Sequence, residues 1–387
     1  MKFAQAVATS QRAAVAGEQV AAEVTDQLDE PIDFAVLMCS AHYRDDHRAL
    51  LDAVSERLEP GFLIGCTAEG VFGGGREFEG TAAVSLLAGS LPGTTFRTVR
   101  FGTEDLANTH ARDRLRDSGV GDLDAGSTLI LLAEPYSTPV DLLLDAVNEV
   151  CPGWSVTGGM ASVMAEGENR LFFGGQVLSD GAIGIAMSGG LRTHTLVSQG
   201  CRPIGKPFVI TKADRNILMA LGGKHALERV REVYEHENEA VRELMSYGLL
   251  VGRVINEQQD SFERGDFLVR NVLFLDEESG AVVAGDFFRP GQTIQFHVRD
   301  VATADEDLAE LLQQCRIGKG PAAGLCFSCN GRGSQMFSGP NHETDAICGT
   351  LGVFPLVGHF AAGEFGVVGG RTFVHGHTLS MALFYDA

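Results

Sequence analysis

A glycine-rich stretch occurs twice in this chain, and it limits the possible folds more than any other feature. Residues 63–73 read LIGCTAEGVFG and residues 356–366 read LVGHFAAGEFG, with six identities in eleven ungapped positions. Three of the six identities are glycines, which permit positive φ angles and a close approach of another backbone or a ligand. This pattern predicts a duplicated structural element.

The segments around the two copies repeat as well. An apolar run of strand length precedes each copy, another follows it, and a helical pattern at 46–58 lies before the first. A looser middle copy runs from the apolar segment 128–135 through 154–162 to 181–190. The sequence therefore predicts an α/β fold, in α+β form with mixed sheets. Its two lobes are expected to be built from repeated strand–helix–strand–Gly loop–strand units.

Length and local pattern predict two domains and a short extension. The chain has 387 residues, which suits two ordinary domains. Residues 216–247 show a helical pattern that is broken at Gly222 and Gly223. We place the boundary there, which gives an N-terminal extension at 1–29, a first domain at 30–222 and a second at 223–387.

Charge and hydropathy argue against nucleic acid and membrane partners. The chain carries 51 acidic and 30 basic residues, for a net charge of −21, and has no basic run. Such a surface repels phosphate backbones and anionic lipid. No apolar run approaches the roughly 20 residues that a membrane span needs, and the N-terminus lacks a secretion signal. We expect a cytoplasmic protein whose eight cysteines are free thiols.

The glycine-rich loops are the first candidate ligand site. Loops at strand ends expose backbone N–H groups and are common binding positions. The alternative is that the glycines serve only tight turns or close sheet packing. The candidate ligand-binding residues in the first two copies are Cys66, Thr67, Glu69, Gly158 and Gly159.

An arginine and a glutamate in the last copy are the second candidate. Arg332 lies between glycines in the stretch Cys329-Asn-Gly331-Arg-Gly333, and its planar fork suits a carboxylate. Glu364 follows Gly363 and could pair with Arg332 or accept a hydrogen bond from a ligand amine. Together they could hold both ends of an amino acid. The alternative is an internal ion pair that only holds the loops together.

No motif predicts metal binding or catalysis. Cys326 and Cys329 form a C-x-x-C, but residues three apart on a strand face opposite sides and cannot easily share a metal. His375 and His377 could serve a metal or haem, although exposed loop histidines are commoner. No nucleophile elbow, zinc motif or phosphate loop is present. We expect a protein without catalytic residues, resident metal or cofactor, and not an enzyme.

Taken together, four segments resemble the FIST family, in an N-terminal and a C-terminal part. They are FLIGCTAEGVF, TGGMAS, PFVITKADRNILMALGGKHALE and the region Cys329–Phe384. The resemblance implies intracellular sensing of a small molecule such as an amino acid. It also implies signalling through a separate protein such as a kinase or chemotaxis receptor. The alternatives are a haem-binding nitric-oxide sensor and an enzyme or scaffold of unknown activity.

Overall fold

The computed structural model describes residues 1–44, 46–107 and 110–386. The chain forms two compact units that alternate along the sequence. The first comprises Met1–Val197, Ala309–Val374 and Thr378–Ala387, and the second comprises Ser198–Leu308 and His375–His377. The domain boundary that the sequence predicts between residues 222 and 223 stays a prediction.

The first repeat forms an interrupted strand–helix–strand unit. Its elements are β1 (Lys2–Ala8), α1 (Ala13–Gln27), β2 (Phe34–Ser40), α2 (His47–Leu58), β3 (Phe62–Ala68), β4 (Gly70–Gly73), β5 (Arg76–Glu79) and β6 (Val84–Ser90). The second repeat follows the same order. Its elements are β7 (Thr95–Phe101), α3 (Thr103–Ala107), α4 (Ala111–Asp117), β8 (Thr128–Ala133), α5 (Val140–Val150), β9 (Ser155–Met160), β10 (Leu171–Phe173), β11 (Gln176–Leu178) and β12 (Ala182–Ser188).

The third repeat is split by the second compact unit. It opens with β13 (Leu191–Gln199), after which come β14 (Cys201–Asp214), β15 (Ile217–Leu221), β16 (Lys224–His225), α6 (Ala226–His236), α7 (Glu239–Tyr247), β17 (Leu249–Val254), β18 (Phe267–Asp276), β19 (Ala281–Ala284), β20 (Thr293–Arg299) and α8 (Val301–Gln314). It then resumes with β21 (Ala323–Cys329), α9 (His342–Leu351), β22 (Leu356–Ala361), β23 (Glu364–Val368), β24 (Arg371–His375) and β25 (Thr378–Asp386).

The three repeats are interlocked by exchanged hairpins. In each repeat a parallel pair, β2–β3, β8–β9 or β21–β22, is closed by one antiparallel strand, β6, β12 or β25. The sheet of each repeat also receives the hairpin of another: β10–β11 pairs with β3, β23–β24 with β9, and β4–β5 with β22. The predicted mixed α/β fold with repeated units is therefore confirmed, and all three copies lie in the first compact unit.

One glycine in each repeat is required by close packing of the parallel strands. A Cβ atom at Gly65, Gly158 or Gly358 would lie 1.9, 1.8 or 1.7 Å from the carbonyl oxygen of the paired strand. No side chain fits at such a distance, so glycine is needed at these positions. The role observed for these three glycines is close sheet packing, which was the alternative to ligand binding.

The second unit contains a closed antiparallel barrel. Its strand order is β14-β20-β17-β18-β19-β15, and β15 pairs back onto β14. The interior is apolar and includes Phe208, Leu218 and Phe296. The predicted helix at 216–247 is wrong at its start, because Arg215 takes a positive φ of 52° and turns the chain into β15. Among the described residues no helix is long and apolar enough to cross a membrane.

Candidate functional site

Arg332 is fully buried and forms an ion pair at the end of β21. Its Nε donates to Glu343 Oε1 at 2.6 Å, and the two side chains are 1% and 0% exposed. Glu343 lies in the first turn of α9, where the helix dipole favours a negative charge. The guanidinium carbon lies 5.4 Å from the centre of the Phe337 ring. Arg332 is thus paired with Glu343, a residue that the sequence did not single out.

Glu364 is the first residue of β23 and is also fully buried. Its Oε2 accepts hydrogen bonds from Thr378 Oγ1 at 2.8 Å and from Thr378 N at 3.3 Å. Burial raises the pKa of Glu364 to about 8, against the opposing effects of Thr378 and of the Arg332 charge. This carboxyl group is therefore mostly protonated at neutral pH.

A third buried carboxyl group comes from the hairpin of the first repeat. Glu77 Oε1 accepts hydrogen bonds from the backbone N–H groups of Glu343 and Thr344, at 2.8 and 2.9 Å, and so caps α9. Burial is the largest effect on its pKa, which rises to about 7. We call Glu77, Arg332, Glu343 and Glu364 the Arg–Glu cluster.

Two carboxyl oxygens of the cluster accept no hydrogen bond in the described part of the chain. Glu343 Oε2 and Glu364 Oε1 are buried, and neither has a hydrogen-bond partner among the described residues. A buried carboxyl oxygen without a donor costs more free energy than it would in water, whether the group is ionised or not. Glu364 is mostly neutral at pH 7, so the arrangement suits an added group that donates hydrogen bonds, and a positive charge on that group would favour the ionised form of Glu364.

The structure brings the predicted glycines of the last two repeats against this cluster. Gly159 and Gly158 pair with Glu364 and Phe365 across β9 and β23. Gly363 O accepts a hydrogen bond from Met160 N at 2.9 Å. Gly333 has a φ of +53°, and a Cβ there would lie 2.7 Å from Glu79 Oε1.

Cys329 and Gly331 belong to the turn that carries Arg332. The Arg332 N–H donates to Cys329 O at 2.8 Å, and Gly331 lies between them. Cys329 is the last residue of β21 and is buried. Their contribution is therefore to the backbone that positions Arg332.

The other predicted residues, in the first repeat, hold the loop of the second repeat. The Thr67 hydroxyl accepts a hydrogen bond from Arg170 N at 2.9 Å. Glu69 accepts one from Met164 N at 2.9 Å and donates its own N–H to Ser162 Oγ at 3.0 Å. Cys66 lies deeper, with its sulfur 3.6 Å from Met38 Sδ.

Sequence reasoning missed Glu77, Glu343 and Thr378. Glu343 had a usable signal, because an acidic residue shortly after an N-cap asparagine is typical of a first helical turn. No local pattern in the sequence singles out Glu77 or Thr378. The exchanged β4–β5 hairpin carries Glu77 to the cluster, and Thr378 lies at the start of β25. His375 is buried, not exposed as expected of a loop histidine. Among the described residues no group of three or more His, Cys, Asp or Glu side chains could hold a metal ion.

Comparison with known proteins identifies two matching family models. Residues 33–224 match the FIST N domain and residues 226–367 match the FIST C domain. An uncharacterized protein of Mycobacterium tuberculosis is 38% identical over 393 residues, covering 100% of both chains. One of Mycobacterium bovis is 37% identical over 393 residues, covering 100% of this chain and 99% of its own.

A solved structure with the description "Cyanuric acid hydrolase: evolutionary innovation by structural concatenation" also matches. It is 11% identical with a TM-score of 0.32, and the match covers 100% of this chain and 99% of that one. A TM-score this low does not establish a common fold.

Proposed function

This chain belongs to the FIST family, and on that premise we propose that it senses a small polar metabolite with an amine, such as an amino acid, at the Arg–Glu cluster. FIST domains are generally signal-transduction sensor domains, which supports a sensing role. The observation that carries the choice of ligand is the pair of buried oxygens, Glu343 Oε2 and Glu364 Oε1, that have no donor among the described residues.

An ammonium group suits these oxygens better than a carboxylate does. It supplies three donors and a positive charge, and charge-assisted hydrogen bonds are about twice as strong as neutral ones. Arg332, which the sequence hypothesis assigned to a ligand carboxylate, already donates to Glu343. In this proposal the amine is the recognised group, and Arg332 orients Glu343.

Burial of the cluster links binding to a conformational change. Arg332, Glu343 and Glu364 are at most 1% exposed, so a ligand reaches them only when the surrounding loops open. A ligand that binds one conformation preferentially shifts the population toward it. A separate signalling protein, such as a kinase or chemotaxis receptor, would bind preferentially to one of the two conformations and so respond to the ligand.

The proposed function is binding without chemistry. The thiols of Cys66 and Cys326 are fully buried, and burial raises the pKa of both well above their usual range. A thiol that stays protonated is a poor nucleophile.

Haem-based sensing stays a prediction with no observation in its favour. His359, the most buried histidine near the site, uses its Nε2 for the carbonyl of Met160 at 3.1 Å. A Soret band in the absorption spectrum of the purified protein would support haem binding.

The test is a thermal-shift measurement with matched ligands. The proteinogenic amino acids are screened first, and any hit is compared with its decarboxylated amine and its N-acetyl derivative. The proposal expects the first two to raise Tm and the N-acetyl compound to fail. Equal shifts from the N-acetyl compound, or no shift from any amine, would refute it.

A matched variant locates the response. Glu364→Gln keeps the shape of the side chain but cannot ionise. Measured at pH 8.5, above the pKa of about 8 of the wild-type carboxyl group, the apparent affinity for the amine should therefore fall by about tenfold, from the loss of one charge-assisted hydrogen bond. Glu134→Gln changes a buried carboxylate in the second repeat and should leave the response intact.

A further inference from the structure

The barrel of the second unit has a cavity on its outer face. The cavity measures about 400 Å³ and lies over β14, β15, β18 and β19, with an apolar lining that includes Met219, Phe274 and Val283. Their neighbours Leu218 and Val282 belong to the core inside the barrel, so the lining faces outward. Small-molecule sites in proteins measure about 300–1,000 Å³, so this cavity is large enough for a small ligand.

A β-bulge turns Phe274 into the cavity. Val272 pairs with Ala284 and packs against the barrel core. Phe274, two residues further on, pairs instead with Val283 at the cavity. Residues two apart on a regular strand share a face, so the register shift at Leu273 is what places the Phe274 ring outside the barrel. The ring is 61% exposed, which leaves its surface available to a ligand.

A second bulge has the same effect on Lys212, across the cavity from Phe274. Ile210 pairs with Leu221, and both belong to the barrel core. Lys212, two residues on, pairs with Ala220, which lines the cavity, after a register shift between Ile210 and Lys212. Bulges disrupt the ladder of hydrogen bonds and re-aim side chains, often beside functional sites. Here two bulges direct a cation and an aromatic ring into one cavity.

Lys212 is also the lysine of the cavity that has no acidic partner. Lys224 lines the cavity too, but its Nζ lies 2.9 and 2.6 Å from the carboxylates of two glutamates on α6. The carboxylate of Asp276 accepts hydrogen bonds from three donors of its own turn. Lys212 makes no hydrogen bond or ion pair within the described part of the chain. Its positive charge is therefore available to a ligand.

We propose that this cavity binds an amphipathic organic acid, with an apolar, preferably aromatic, body on Met219, Phe274 and Val283 and one carboxylate at Lys212. Apolar surface removed from water supplies most of the affinity, and the lysine acts as a point charge that orients the acid. The net charge of −21 disfavours polyanions such as nucleotides, which leaves a single acidic group as the best match. The site lies wholly in the second unit, whereas the Arg–Glu cluster lies in the first.

The experiment is a fluorescence titration of the full chain with two dyes. Anilinonaphthalene sulfonate has an aromatic body and one anionic group, and N-phenyl-1-naphthylamine has the same body without the charge. Bound dye is then displaced with 4-phenylbutyrate or with 4-phenylbutan-1-ol, which differ only in the acid. The variants are Lys212→Met, which keeps the apolar stem, and Met219→Glu, at a half-buried position on the outer face. The control is Lys319→Met, at an exposed lysine of the first unit.

We expect the wild type and Lys319→Met to bind the anionic dye equally, and 4-phenylbutyrate to displace it better than the alcohol does. Lys212→Met should bind the anionic dye about twofold to fivefold more weakly, the size of an exposed ion pair, and the neutral dye as well as before. Met219→Glu should lose more than about tenfold for the anionic dye, because it replaces apolar lining with a like charge.

The site would be overturned by no saturable binding of the anionic dye, or by equal binding in Met219→Glu, which would place the dye elsewhere. Equal losses in Lys212→Met and Lys319→Met, or equal displacement by the acid and the alcohol, would remove the role of the charge and with it the proposal. Thermal melts confirm that each variant is folded. The outcome is separate from the proposed amine sensing, since Glu364→Gln should bind the dye as the wild type does.

Discussion

The three repeats share one backbone but differ at the ends of their central strands. Ser40, Glu134 and Cys329 are equivalent, because each lies three residues beyond the partner of the close-packed glycine. Three residues further on stand Tyr43, Ser137 and Arg332.

The first two repeats satisfy their own polar groups at these positions. Tyr43 donates its hydroxyl to Ser10 O at 2.6 Å. Glu134 Oε2 accepts three hydrogen bonds from Tyr136 and Ser137, and its other oxygen accepts one from Asn169 at 3.4 Å. In the third repeat, by contrast, Glu343 Oε2 and Glu364 Oε1 accept no hydrogen bond from any residue that the structure describes. The repeat thus supplies a common scaffold, and the candidate site lies in the copy whose polar groups are not all satisfied within the repeat.

The largest effect is expected where the repeats are the same. A Cβ in Gly358→Ala would stand 1.7 Å from the Cys326 carbonyl oxygen, and neither strand can move without breaking the sheet. We expect a loss of more than about 5 kcal/mol, or failure to fold, beyond ordinary overpacking. Urea denaturation of the wild type and the variant measures this loss of unfolding free energy.

The control for this change is Gly349→Ala on the exposed side of α9. A Cβ there has nothing within 4 Å, so alanine should gain about 0.5–1 kcal/mol. A fully stable Gly358→Ala protein would show that the shared backbone is not fixed by these glycines.

The next effect tests the ion pair that distinguishes the third repeat. Arg332→Met leaves Glu343 buried without its counter-charge, which should cost about 3–5 kcal/mol in unfolding free energy. The double variant Arg332→Met with Glu343→Met should recover much of that loss. If the single variant unfolds within about 1 kcal/mol of the wild type, the pair is not the structural centre of the cluster.

A pH titration tests the protonated carboxyl group. The pKa of Glu364 is about 8 in the folded chain and ordinary in the unfolded one, so the folded state holds the proton more tightly between about pH 4.5 and 8. Stability contributed by this group is therefore lost as pH rises through that window, by up to about 1.4 kcal/mol per pH unit.

Glu364→Gln removes this pH dependence, so the difference in unfolding free energy between wild type and variant should slope downward with pH and level off above about 8. The same titration predicts that amines bind more tightly as pH rises toward 8, because ionised Glu364 is the better acceptor. A flat difference curve contradicts the raised pKa.

Local pattern in the sequence was enough to predict the repeated unit. The two glycine stretches and the apolar runs predicted β3, β22 and the strands beside them, since these depend on near neighbours. The exchange of hairpins could not be predicted, because pairing of β4 with β22 joins residues far apart in the chain. The helix predicted from residue 216 was wrong at its start for a similar reason, since Leu218 and Leu221 of β15 fill a barrel core that the local pattern does not reveal.

The candidate site was predictable only in part. Arg332 and Glu364 follow apolar strands, and that placement in sequence singled them out. Their neighbours lie on three other elements: Glu77 on the exchanged hairpin, Glu343 on α9 and Thr378 on β25. The hydrogen bonds among them could therefore not be derived from spacing in the sequence. Which residues bind a ligand stays a prediction.

The smallest effect belongs to the first repeat, at the position equivalent to Arg332. Tyr43→Phe deletes one neutral hydrogen bond to Ser10 O and should cost about 1 kcal/mol, far less than Arg332→Met. Burial raises the pKa of Tyr43 to about 12, so its hydroxyl stays protonated in both states at ordinary pH. The cost should therefore be constant from pH 5 to 9, whereas the effect of Glu364→Gln changes across that range. A loss near that of Arg332→Met, or one that varies with pH, would mean that the first repeat also carries a charge-dependent site and that the contrast between the repeats fails.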